Sequence, residues 1–255
     1  MSPSRRMIQR CCLALPCAFI ALVPLTAQRA QPLELAVSDA RPLAALIDQL
    51  ETRYGWIITY EDPPYENAAD LDDVTLDVAK DPKNFKGKVL VPRRRRFDFR
   101  YPNADQPQAE DVLAVLVRDY NMAGNNDGFR LLRTGKFFHV VPSVSDNKIG
   151  LPTNRQSRLD VRVTIPVVER SVLETLELVV AQVRELTGVP VMMGRVPVNL
   201  LLQKKLRTGA ATEPARDVLV RALTSTGRDL SWRLNCDPGV TKICSFNVHF
   251  VNPGQ

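Results

Sequence analysis

The chain has 255 residues, 45% of them apolar and 24% charged, with a formal charge of +6. This is a globular balance, and it excludes a disordered or collagen-like chain. The length accommodates one large domain or two small ones.

The first 27 residues differ from the rest. Arg5, Arg6 and Arg10 make a basic start, and Cys11 to Ala27 is an uncharged, mostly apolar run. A basic stretch followed by such a run reads as a secretory signal peptide over residues 1–27. The alternative is an uncleaved anchor, but Pro16 and Pro24 interrupt a run shorter than the ~20 residues a spanning helix needs. No later segment is apolar enough to span a bilayer, so no membrane span is expected after cleavage. Loss of the leader lowers the formal charge to about +3, an ordinary value for a soluble protein. An exported protein of that charge is not expected to bind nucleic acid. The expected location is periplasmic or secreted.

Beyond the leader, LELAV (33–37) alternates as a strand does. Leu43, Leu46, Ile47, Leu50 and Tyr54 then share one helical face, with Ser38 or Asp39 near its start, Pro42 in its first turn and Gly55 as its stop. WIITY (56–60) is strand-like, and 61–96 is a polar, proline-dotted insertion. FDFRY (97–101) alternates again. A second helix is marked by Val112, Leu113, Leu116, Val117 and Tyr120 and closed by Gly124, and the hairpin 129–141 ends the half. Residues 143–158 read as a linker.

The second half, 159–251, repeats that order. LDVRVTI (159–165) is a strand, and Ser171 with Glu174 forms a capping box. Leu173, Leu176, Val180, Val183 and Leu186 make a helical stripe that Gly188 ends, and VPVMM (189–193) is a strand. VNLLLQKK (198–205) reads as strand or turn. A helix starts at Thr212–Ala215 with Pro214 in its first turn, buries Val218, Leu219, Ala222 and Leu223, and ends at Gly227. A final hairpin turns at Asp237-Pro238-Gly239. It brings Cys236 and Cys244, the two cysteines left after cleavage, opposite one another for a disulfide. FFHVV (137–141) and NVHFV (247–251) each close a half and carry its only histidine. The expected fold is α+β: two tandem βαββαββ modules, each with two helices and small mixed sheets.

The run Pro42-Leu43-Ala44-Ala45-Leu46 to Gly55, the segment Leu113 to Leu116 and the stretch Glu213-Pro214-Ala215 to Gly227 carry a resemblance. The pattern resembles the short N-terminal domain of secretins and TonB-dependent receptors, in two copies over 32–142 and 159–251. The first copy departs from the family in its insertion, and no barrel sequence follows the second. The resemblance implies periplasmic docking of a protein partner. It brings no catalytic residues.

The residues themselves carry little catalytic chemistry. No G-x-S-x-G, H-E-x-x-H, Walker A or G-x-G-x-x-G motif occurs. Cys244 and His249 lie five apart on one strand and so point to opposite faces. Glu61, Asp62, Glu66, Asp70, Asp72, Asp73 and Asp77 form an acidic insertion that either binds a cation or lies in water. Arg93, Arg94, Arg95 and Arg96 bind phosphate, a lipid headgroup or an acidic partner, or else pair with that loop or lie in water. Tyr60 and Tyr65 frame a proline turn suited to protein contact, with a core position for Tyr60 as the alternative. The candidate partner-binding residues are therefore Tyr60, Tyr65 and Arg93 to Arg96. No catalytic residue, metal ligand or cofactor is assigned. The expected role is an envelope adaptor. The alternatives are a metal-assisted hydrolase using the 60–101 region, or a glycan binder using Trp56 and Trp232 if these are not core.

Overall fold

A computed structural model describes residues 31–65, 68–81, 85–102, 107–123, 128–143, 157–238 and 242–254. The leader, Glu66, Gly124, Gly239 and most of the linker lie outside the described residues. The first half runs β1 (Leu33–Asp39), α1 (Pro42–Tyr54), β2 (Ile57–Glu61), β3 (Leu71–Asp73), α2 (Thr75–Val78), β4 (Leu90–Pro92), β5 (Arg95–Tyr101), α3 (Ala109–Met122), β6 (Phe129–Thr134) and β7 (Phe137–Pro142). The second runs β8 (Arg162–Ser171), α4 (Val172–Thr187), β9 (Val191–Met193), α5 (Val198–Gln203), β10 (Lys205–Pro214), α6 (Ala215–Thr224), β11 (Leu230–Cys236) and β12 (Cys244–Phe250). The class is α+β, and apart from the insertion and α5 the two halves share one element order.

Local chemistry explains most boundaries. Pro42 opens α1 in its first turn, and Asp39 Oδ1 accepts from the Arg41 N–H at 2.8 Å just outside the helix. Gly55 (φ 69°) and Gly188 (φ 67°) end α1 and α4 in the left-handed region that suits glycine. The Ser171–Glu174 capping box opens α4 as expected.

Three expectations are corrected. Val198–Gln203 is the short helix α5, with Leu201 buried in the core. Thr212 belongs to β10, and Pro214 caps α6 from outside instead of sitting in its first turn. Leu186 stands 56% exposed, so the core stripe of α4 stops at Val183.

The central sheet is six-stranded and crosses both halves in the order β6-β7-β2-β11-β12-β9. β2, β7 and β11 run one way, and β6, β12 and β9 run the other. The seam between the halves is the parallel pair β2–β11, with Arg233 opposite Tyr60 and Leu234 opposite Glu61. β1 with β5, and β8 with β10, form separate antiparallel ribbons, and β3 with β4 forms a third in the insertion.

Successive residues on a strand point to opposite faces, and that separates the two cores. Ile58, Tyr60, Phe138 and Val140 pack with α1 and α3. Ile57, Phe137, Trp232, Leu234 and Phe246 pack with α4 and α6. Each half thus lays its helices on its own face of the shared sheet. A half-turn about an axis across the strands, with a shift along the sheet, carries one half onto the other.

The seam is closed by buried charge. Arg233, with 8% of its side chain exposed, bonds Asp48 at 2.7 Å and Glu51 at 2.6 Å, and donates to the Ile58 carbonyl at 2.6 Å. A buried charge that loses its partner is far more costly than an exposed pair is valuable. Glu51→Ala should lower unfolding stability by about 3 kcal/mol, whereas Asp48→Ala, at a 64% exposed side chain, should lower it by under ~1 kcal/mol. Urea denaturation checks both; the midpoint moves while the slope stays constant.

Candidate functional site

The richest chemistry lies along the seam and at its end, where the insertion begins. On the face of α1, Glu51 accepts from the Ile58 N–H at 3.0 Å, from Arg233 and from the His249 ring at 2.8 Å. Burial pushes the Glu51 carboxyl up, but the Arg233 charge and these hydrogen bonds outweigh it and hold the group below its ordinary value. On the opposite face, Arg216 of α6 bonds Glu61 at 2.7 Å and is also paired with Asp160 and Ser157. Burial opposes the Arg216 charge, but Glu61 and Asp160 raise its pKa overall.

Asp62 ties the end of β2 to the end of β11. Its N–H donates to the Leu234 carbonyl at 2.8 Å, and its Oδ2 accepts from the Cys236 N–H at 2.8 Å and from Arg41 Nε at 2.6 Å. Arg41 also donates to the Cys236 carbonyl at 2.9 Å. Cys236 and Cys244 face each other across the hairpin with their sulfurs 2.10 Å apart, at disulfide distance.

The candidate partner-binding residues divide. Tyr60 is 2% exposed, and its ring stacks on Phe129 with centroids 5.6 Å apart. Tyr65 lies under the Arg41 guanidinium at 5.9 Å; burial and the Asp62 charge push its hydroxyl well above the usual range. Arg93 donates to Asp72 at 2.8 Å and to the Leu71 carbonyl at 3.0 Å, and Arg95 pairs with the buried Asp70. Arg96 pairs with Asp98 at 3.0 Å on the surface, and Arg94 is exposed.

Tyr60, Tyr65, Arg93 and Arg95 do converge, together with Arg41 and Asp70, around a cavity of about 30 Å³. That volume suits water and no larger ligand. Three acids of the insertion are matched to cations: Asp70 to Arg95, Asp72 to Arg93, and Asp73 to Lys88 at 3.4 Å. Among the described residues no group of three or more His, Cys, Asp or Glu side chains is placed to hold a metal.

The histidines are not equivalent positions of the repeat. Aligning the Gly55 and Gly188 caps matches Tyr60 with Met193, so their register partners Val140 and Phe246 correspond, and His139 falls opposite Ser245 rather than His249. His139 is fully buried; its Nδ1 shares a 2.7 Å hydrogen bond with Thr59, and its ring lies 5.4 Å from Trp232. His249 is half-exposed beside Glu51. Cys244 lies in the core with α4 and α6, so it and His249 occupy opposite faces. Trp232 is fully buried, and Trp56 stacks on Tyr54 at 4.4 Å while packing against the other core.

Sequence reasoning missed Glu51, Arg216 and Arg233. Each stands in an amphipathic pattern where a charge reads as solvent-facing, and only the seam puts it inside. Among the described residues the two ends of the sheet are β6 and β9. Beside β6, Ala114, Val117, Arg118, Asn121, Met122 and Leu131 line an open groove of about 480 Å³. No helix among the described residues is long and apolar enough to cross a membrane. No family model, curated protein or solved structure matches the chain.

Burial, and then the Arg216 charge, lowers the His139 pKa to about 3. The folded state keeps this ring neutral where an unfolded chain protonates it, so stability falls as pH drops below about 6.5. The loss from this group approaches ~1.4 kcal/mol per pH unit and ends near pH 3. Wild type should therefore lose stability relative to His139→Gln between about pH 6.5 and 5, above the carboxylate range. Paired urea titrations across that window measure the difference.

Proposed function

We propose that this chain is an exported, non-catalytic adaptor of the cell envelope. It docks a protein partner through two halves built like the short N-terminal domain of secretins and TonB-dependent receptors. The observation that carries the reading is the pair of terminal strands, β6 and β9, which end the sheet among the described residues. A terminal strand offers main-chain donors and acceptors to an added strand, and the groove beside β6 offers apolar surface, including Met122 at 76% exposure. The acidic insertion favours attachment over proton transfer, since Asp70, Asp72 and Asp73 are engaged by Arg95, Arg93 and Lys88.

A photo-crosslinking amino acid placed in turn at Leu132 of β6, at Met192 of β9 and at Leu178 of α4 tests this in the host envelope. One recurrent envelope protein, captured from a terminal strand and not from Leu178, is the expected result. Capture of only abundant envelope proteins, equally from all three positions, overturns the adaptor reading. Arg94→Ser with Arg96→Ser should weaken the capture; Arg95 is left intact because it holds the buried Asp70.

A further inference from the structure

The seam shows how this unit accepts a strand, and the second half presents the same edge at β9. Gly55 donates its cap N–H to the Glu51 carbonyl, and Gly188 donates its own to the Arg184 carbonyl. Glu51 of α1 thus corresponds to Arg184 of α4, and Ile58 corresponds to Val191. The registers extend the match. Tyr60 pairs with Val140, which pairs with Leu131, while Met193 pairs with Phe246, which pairs with Leu234. Leu131 therefore corresponds to Leu234, and Arg130 to Arg233.

At β2, the outward backbone groups of Ile58 are closed by the seam. Glu51 accepts from the N–H, and Ser231 and Arg233 donate to the carbonyl. At β9, the Gly194 N–H and the Pro190 carbonyl bond to β12. Alternation then directs the N–H and carbonyl groups of Val191 and Met193 outward, away from β12. The helix residue above them differs in sign: Glu51 is 4% exposed under β11, whereas Arg184 is exposed. A guanidinium only donates, so Arg184 cannot repeat the acceptor role of Glu51.

We propose that the β9 edge beneath Arg184 is a docking site for a strand of a partner protein. The strand runs parallel to β9 and carries an acidic side chain where Arg233 stands in the seam. This rests on the adaptor reading and names its surface and the chemistry of its partner. The same rule disfavours a second copy of this chain. Its β6 would enter with Arg130 at that place, setting one guanidinium against another. Glu177, the nearest acid toward the N-terminus on that face of α4, lies about 10 Å along the helix and does not relieve the clash.

The test uses two fluorescent peptides of the β11 sequence Leu230–Asn235, one native and one carrying Arg233→Glu. Anisotropy titrations follow each against the wild-type protein and against Arg184→Glu. The wild type should prefer the acidic peptide by about threefold to fivefold, the upper part of the range one exposed ion pair supplies. Arg184→Glu should reverse the preference, a result that a folding defect cannot produce. Equal affinity of both peptides for both proteins, or binding of neither, overturns the proposal. If neither peptide binds while the Leu132 position still captures a recurrent protein, the β9 site falls and the adaptor reading stands. If no position captures a partner, that reading falls with it.

Discussion

The guanidinium of Arg233, nearly withdrawn from water, is the point on which the joining of the two halves depends. Removing such a group from solvent costs several kcal/mol unless its donors are met. Here Asp48, Glu51 and the carbonyls of Ile58 and Trp232 meet them. Only one register of β11 on β2 does so, because sliding the strand by one residue would turn Arg233 to the face of Trp232 and leave Glu51 buried without its cation. Arg216 performs the corresponding closure on the other face, against Glu61 and Asp160. Two arginines are needed because the half-turn between the halves puts their helices on opposite faces, so each face of the seam has its own gap.

The end of the seam is fixed by a different device. Asp62 continues β2 past its last strand residue by donating to Leu234, then receives the Cys236 N–H and Arg41. The disulfide holds Cys236 from the hairpin side while Arg41 holds its carbonyl. The insertion leaves the fold from this clamped point, and its own strands β3 and β4 are tied to each other, with the Arg93 N–H donating to the Asp70 carbonyl at 2.7 Å. A long polar insertion is thus anchored at its root, which keeps its ordering cost local.

Much of this fold was legible in the sequence, and the reasons are physical. Alternation marks FDFRY, a run of apolar and β-branched residues marks WIITY, turn residues mark the final hairpin, and left-handed glycines mark the ends of α1 and α4. The capping box of α4 satisfies its N-terminal donors and was readable from two residues. The order of strands was not legible, because WIITY and SWRLN each read as a strand and nothing local says that they pair. The helix at Val198–Gln203 was missed because a short apolar run has no period to read. Tyr60 illustrates the same limit at the site: an aromatic at a strand end reads as surface or as core, and the packing of α3 and Phe129 decides it. For Arg93 and Arg95 the sequence leaves partner binding and pairing with the acidic loop both open, and the fold decides by bringing Asp72 and Asp70 against them.

A duplicated unit joined by unlike edges carries an inherent hazard. The edge used by β2 survives at β9, and the edge used by β11 survives at β6, so the operation that built the seam can in principle be applied again without closing on itself. Contacts of that type generate open filaments, and natural sheets commonly prevent them with charge at the edge. Here the block is built from the same position that makes the seam. Glu51 attracts Arg233, while its counterpart Arg184 would meet Arg130 of a second copy, a side chain already drawn toward Asp160 at 2.9 Å. One reversal of sign between the two copies of a helix therefore favours the internal joint and weighs against the external one. It also leaves the β9 edge selective instead of merely blocked, since a site that repels a guanidinium attracts a carboxylate.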